Sequence, residues 1–107
     1  MPISQDPKLS EVQCYVAGME RERGFADQSG RDKCLLLGEE VGELYRAVRR
    51  AEGLAVDRTS REASIGEELA DLLIYLAAIA NRYGVDLGDA LRDKEEQNAQ
   101  RAWERRD

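Results

Sequence analysis

The sequence predicts an all-α protein: a four-helix bundle built on one central antiparallel helix pair. Apolar residues recur at i, i+3, i+4 and i+7 in successive stretches, which is helical spacing. Capping residues and glycine stops fall between those stretches. No stretch alternates apolar and polar residues over a strand length, so no sheet is expected. At 107 residues the expectation is one small domain spanning residues 1–107, with 1–5 as a loose terminus.

The elements follow in order. Asp6 followed by Pro7 reads as an N-cap with proline at the first helical position. Leu9, Val12, Tyr15, Val16 and Met19 then form a helical stripe, and Gly24 reads as its stop. A polar loop, residues 25–30, contains Ser29 as the cap of the second helix. In that helix Cys34, Leu37, Val41, Leu44, Tyr45 and Val48 form the apolar stripe, and Arg49, Arg50 and Gly53 mark its end. Thr59 and Glu62 read as a capping box for the third helix, whose core stripe is Ile65, Leu69, Leu72, Leu73, Leu76 and Ala80. Gly84 ends it, and Asp86 caps a fourth helix running from Leu87 past Asn98.

The totals exclude several classes. A net charge of −6 argues against partnership with nucleic acid or an anionic membrane. Cys14 and Cys34 form no CxxC, so reduced thiols and a cytoplasmic location are expected. The polar start is not a signal peptide, and the longest apolar run, Leu69 to Ala80, contains Asp71 and is too short to cross a bilayer.

The chemistry concentrates in two segments. Lys33 to Arg50 carries Glu39, Glu40 and Glu43; Gly66 to Arg82 carries Glu67, Glu68 and Asp71. Glu40 and Glu43 lie about 60° apart round a helix and about 4.5 Å along it, beside the apolar stripe. Glu68 and Asp71 repeat that spacing. If the helices pair antiparallel through a turn near Gly53 to Thr59, Glu43 and Glu68 each stand roughly 14 Å from the tip. Glu40 and Asp71 then pair one turn further down. Four carboxylates facing each other repel, and partial burial adds a desolvation penalty. A hard divalent cation with oxygen ligands, Mg²⁺ or Mn²⁺, relieves both. An EExxE run taken alone is more often a solvated helix face; the matched ExxD shifts that balance.

Two features reach past a plain bundle. Gly38, Gly42 and Gly66 inside helices suggest close approach of a helix or ligand. Leu69 to Ala80 is apolar nearly all round, so Leu72, Leu73, Ile74, Ala77 and their neighbours are expected to bury against a second subunit, in a dimer or tetramer. On the fourth helix Leu87, Leu91, Lys94, Asn98 and Arg101 form one stripe that begins apolar and ends cationic. That stripe is expected to point Lys94 and Arg101 toward the acidic cluster or its ligand. The bland alternative is a solvated helix end.

Glu39-Glu40-Val41-Gly42-Glu43, then Glu68-Leu69-Ala70-Asp71, then Lys94, Asn98, Arg101 and Trp103 resemble the EExxE…ExxD and K…N…R pattern of MazG-like nucleotide pyrophosphohydrolases. The resemblance runs from Lys33 to Trp103. It implies a MazG-like helical bundle that assembles as a homo-oligomer, with metal ligands at Glu40, Glu43, Glu68 and Asp71. It further implies a water-orienting, catalytic carboxylate at Glu39 and phosphate contacts by Lys94, Asn98 and Arg101. The implied reaction is Mg²⁺-dependent hydrolysis of a nucleoside triphosphate to monophosphate and pyrophosphate, for nucleotide-pool control or removal of damaged nucleotides. The chain departs from the family in having no tryptophan in its first helix. Two alternatives stay open: hydrolysis of phosphoribosyl-ATP by a similar acidic helix pair, and a non-catalytic helical oligomer. A di-iron carboxylate bundle needs histidine, and the chain has none.

Overall fold

A computed structural model describes residues 3–54 and 63–102. Four helices follow one another: α1 (Leu9–Arg23), α2 (Gly30–Ala51), α3 (Ile65–Arg82) and α4 (Leu87–Ala99). The all-α class expected from periodicity is the observed one, with no strand among the described residues.

Most boundaries sit where the local chemistry put them. Gly24, Gly53 and Gly84 follow α1, α2 and α3 with φ of 80°, 78° and 65°, a region where a side chain would clash. Ser29 and Asp32 cap α2 reciprocally, Ser29 Oγ accepting from the Asp32 N–H at 3.1 Å and Asp32 Oδ2 from the Ser29 N–H at 2.9 Å. Asp86 Oδ1 accepts from the Asp89 N–H at the start of α4. Two starts differ from expectation. The first helix begins at Leu9, after Asp6-Pro7, because Glu11 reaches back to the Lys8 N–H and takes the capping role; Ser4 Oγ steadies it at 2.9 Å. The third begins after Ser64, whose Oγ accepts from the Glu67 N–H. The box expected of Thr59 and Glu62 lies outside the described residues, as does Trp103.

Helices α2 and α3 pack as an antiparallel pair. Near the hairpin end, Glu43 and Ala47 of α2 share a small cleft with Glu68 of α3; at the far end the Lys33 ammonium sits 5.6 Å from the Tyr75 ring centre. Helix α1 lies across α3 and buries Val12, Val16 and Met19 against Ala77 and Ala78, with Tyr15, Ile74 and Leu87 packed round them. Helix α4 packs on α1 and buries none of its own residues. Gln13 pins this corner: it donates to Asn81 Oδ1 and the Val85 carbonyl and accepts from the Leu87 N–H, while Asn81 donates back to its carbonyl.

The apolar stripes are the main correction. On α3 the side chains turned to α1 are Ile74, Ala77 and Ala78, while Leu69, Leu73 and Leu76 are 52%, 39% and 45% exposed. On α2, Tyr45 and Val48 are exposed and only Lys33 and Ala47 are buried. A helix apolar on several sides does not reveal which side its own chain covers. The radius of gyration, 16.8 Å, exceeds the roughly 13 Å of a compact chain of this length. Among the described residues no close neighbour accounts for Gly38 or Gly42, and Gly66 meets only the Ser64 hydroxyl of its own cap at 3.7 Å.

Candidate functional site

Three of the expected acids converge. Carboxylate oxygens of Glu40, Glu68 and Asp71 all lie within 4.8 Å of one another, between α2 and α3. The antiparallel register brings Glu68 and Asp71, one turn apart on α3, onto Glu40 of α2. Glu68 is buried, Glu40 half-buried and Asp71 exposed, so the trio forms a recess with one open side. Burial pushes the Glu40 carboxyl above its ordinary value of 4.5, and a hydrogen bond with Glu68 and the charges of Asp71, Glu68 and Glu43 push the same way. Glu68 Oε2 is buried with no hydrogen-bond partner among the described residues. An orphaned carboxylate oxygen beside two further carboxylates fits a cation binding site, since only a positive charge satisfies all three at once.

Glu43 shares a small cleft with Glu68 but is not one of the three. Arg46, three residues on, donates Nη1 to both of its oxygens at 3.1 and 3.2 Å, and the pair is about half exposed. An exposed pair of this kind holds weakly, and Glu43 remains close enough for its charge to act on Glu40. Glu39 is exposed on the same helix, and its charge reaches Tyr75. Burial raises the Tyr75 hydroxyl above its ordinary 10.0, and Glu40, Asp71 and Glu39 add to that, so it stays a neutral donor near the acids.

Within one chain the cationic stripe does not join this group. Lys94 and Arg101 are exposed and Asn98 half-buried, on and just beyond a helix that packs on α1, whereas the carboxylates lie between α2 and α3. Asn98 donates to Glu95 at 3.4 Å, a contact within its own helix. Of the stripe expected to face inward, Leu87 packs on the core, while Leu91, Lys94 and Arg101 are exposed.

A cavity of about 380 Å³ opens beside the acids, and sequence reasoning missed it. Asp71 borders it, and Glu20, Phe25, Gln28, Lys33 and Tyr75 line it. Behind its wall sits a buried ion network. Glu20, 4% exposed, takes the Lys33 ammonium at 2.9 Å and both ends of the Arg82 guanidinium at 2.8 and 2.9 Å. Burial alone would raise the Glu20 carboxyl, but the hydrogen bonds and charges of Arg82 and Lys33 outweigh it and hold the group below 4.5. The one sequence signal was a charge inside an apolar stripe: Glu20 next to Met19, and Lys33 next to Cys34.

Comparison with known proteins gives the same picture from outside. The sequence model of the MazG nucleotide pyrophosphohydrolase domain matches residues 28–103. The chain is 36% identical over 105 residues to dCTP pyrophosphatase 1 of Rattus norvegicus, covering 92% of this chain and 61% of that protein. It therefore spans less than two thirds of that relative's length. It is 27% identical over 101 residues to YvdC of Bacillus subtilis, covering 88% and 95% of the two chains. The crystal structure of iMazG from Vibrio DAT 722 superposes with a TM-score of 0.67 at 33% identity, over 86% of this chain and 94% of the other. With its acidic motifs inside the matched span and its four helices in the matching fold, the chain belongs to the MazG nucleotide pyrophosphohydrolase family.

Proposed function

We propose that this protein hydrolyses a nucleoside triphosphate to the monophosphate and pyrophosphate with the help of Mg²⁺. The observation that carries this reading is the Glu40–Glu68–Asp71 group, with its carboxylate oxygens within 4.8 Å and one of them buried and unpartnered among the described residues. These three would hold the metal, and Glu43 would join them when Arg46 releases it. Mn²⁺ would suit the same oxygen donors. The ion, when bound, lowers the pKa of water and offsets phosphate charge.

The chain's own residues supply the rest. Glu39 is exposed beside the group and takes the proton from a water whose oxygen attacks the α-phosphorus. The bond from that phosphorus to the bridging oxygen breaks, and pyrophosphate leaves with the electron pair. The cavity bordered by Asp71 receives the nucleoside. Lys94, Asn98 and Arg101 serve the phosphates from a second subunit, because α4 lies away from its own chain's carboxylates. The exposed leucines of α3 support such a homo-oligomer, a dimer or tetramer. No described helix is long and apolar enough to cross a membrane, and the reading carries a cytoplasmic role in nucleotide-pool control.

The name of the dCTP pyrophosphatase 1 relatives makes dCTP the first substrate to test. The deciding experiment is a Mg²⁺ titration followed by pyrophosphate release across a nucleotide panel, with products identified. Release of orthophosphate, or of nothing, would sink the proposal.

A further inference from the structure

A set of unused hydrogen-bonding groups lies behind the acidic cluster. The Lys33 ammonium has three N–H donors, is 5% exposed and gives one donor to Glu20 at 2.9 Å. The ammonium also lies over two aromatic faces, Phe25 at 5.1 Å and Tyr75 at 5.6 Å from the ring centres. The charges do not balance either: Glu20 answers both Lys33 and Arg82, leaving one positive charge over. Gln28 Oε1 is buried and accepts from nothing among the described residues. Lys33 and Gln28 line the same cavity, which reaches Asp71. Buried polar groups nearly always find partners, so this wall calls for a ligand with an acceptor and a donor of its own.

The wall is held rigidly. Arg82 uses all five guanidinium donors: two on Glu20, and one each on the carbonyls of Ala78, Phe25 and Gln28. The loop carrying Phe25 and Gln28 is thereby fixed to α3. The register also fits. Lys33 and Glu40 are seven residues apart on α2, two turns or about 10.5 Å along the same face. Lys33 thus stands beyond the acids along α2, lining the cavity that Asp71 borders.

We propose that Lys33, with Gln28, reads the nucleobase: the ammonium donates to a ring carbonyl oxygen, and Gln28 Oε1 accepts from a neighbouring ring N–H or amino group. This rests on the nucleotide reading of the site given above. The favoured class is bases bearing a carbonyl: cytosine, uracil, thymine and guanine. Adenine has none and leaves the ammonium unanswered, and a site built to hydrogen-bond a group rejects the analogue that lacks it. Arg82 acts as a positioning residue for this wall.

The test measures pyrophosphate release from dCTP, dTTP, dGTP and dATP by wild type, Lys33→Met and Gln28→Leu, with calorimetric binding of dCMP and dAMP beside it. The dGTP–dATP pair removes ring size from the comparison. Wild type should favour the carbonyl-bearing substrates in kcat/KM by about 10–100-fold, mostly through KM. In Lys33→Met, where Glu20 keeps Arg82, the preference should shrink to within about threefold, and dCMP should lose its binding advantage over dAMP. A wild-type preference near one, or one that Lys33→Met leaves intact, overturns the inference while continued pyrophosphate release leaves the hydrolase reading standing. Release from no nucleotide removes both. If circular dichroism shows Lys33→Met unfolded, Gln28→Leu decides: an unchanged dGTP-to-dATP ratio overturns the assignment, and a narrowed one supports it.

Discussion

Arg82 of α3 grips Glu20 of α1 with both prongs of its guanidinium, Nη1 to Oε1 at 2.8 Å and Nη2 to Oε2 at 2.9 Å. This fork joins α1 to α3 where the side-chain core is thin: the hydrophobic cluster there is built on three α1 residues and two alanines. A planar guanidinium meets a carboxylate in two parallel bonds, which a lysine cannot reproduce.

Removing one partner of this network should be strongly destabilising. Glu20→Gln leaves the buried Lys33 and the largely covered Arg82 without their anion, and the loss should be about 3–5 kcal/mol in chemical denaturation. The pH dependence has a definite sign. The folded value of Glu20 is depressed, so its stabilisation is fully present above 4.5 and is lost as pH falls through the depressed value. Wild type should lose stability in that acid window, and Glu20→Gln should not show the loss. Equal acid profiles would contradict the assigned network.

The acidic trio should behave in the opposite way. Glu68→Gln removes a buried like charge beside Glu40 and leaves a group that can still hydrogen-bond. Without metal its melting temperature should equal or exceed that of wild type. Mg²⁺ at about a hundred times its Kd should stabilise wild type by about 2.7 kcal/mol and the variant far less. An intact Mg²⁺-induced shift in Glu68→Gln would remove Glu68 from the ligand set.

Glu40 gives the metal site its own pH dependence. Its raised folded value means that the metal-free protein loses stability as pH rises from 4.5 through that value. Mg²⁺ affinity should rise over the same window, because the proton leaves as the cation binds. Calorimetry of Mg²⁺ binding between pH 4.5 and 7.5 checks this; a flat affinity would show that Glu40 is not a ligand.

The open face of α3 should be the assembly surface. Leu73 and Leu76 are 39% and 45% exposed, and each Å² left wet forgoes about 25 cal/mol. Leu73→Asp should give a folded, dissociated chain in sedimentation equilibrium. Ile74, one position on and an expected contact of the partner, packs against the α1 core instead. Ile74→Asp should therefore unfold the chain. An active 12.0 kDa wild-type species at micromolar concentration would rule the assembly out.

Subunit mixing tests where Lys94 acts. Lys94→Ala should lower kcat/KM by a factor of about 10–1000 with the helical spectrum unchanged. If Lys94 serves a neighbour's carboxylates, Lys94→Ala mixed with Glu68→Gln should regain activity that neither has alone. No recovery after demonstrated subunit exchange would return Lys94 to the solvated surface.

The sequence by itself determined the four helices, because helix periodicity, caps and glycine stops act within a turn or two of the chain. Ser29, Gly24, Gly53, Gly84 and Asp86 do locally what their chemistry dictates. The ExxE and ExxD spacings likewise put the acids on facing helices by counting residues from the hairpin, pairing Glu43 with Glu68 and Glu40 with Asp71 one turn on; the packing instead gathers Glu40, Glu68 and Asp71 into one group. Tertiary structure alone decided which side of each helix is covered. Leu69, Leu73 and Leu76 are as apolar as Ile74, and only the path of α1 across α3 separates buried from open. The same crossing brought Glu20, Lys33 and Arg82 together from three helices and formed the cavity beside Asp71. No periodicity links residues that far apart in sequence; a buried charge finds its partners only once the helices have packed.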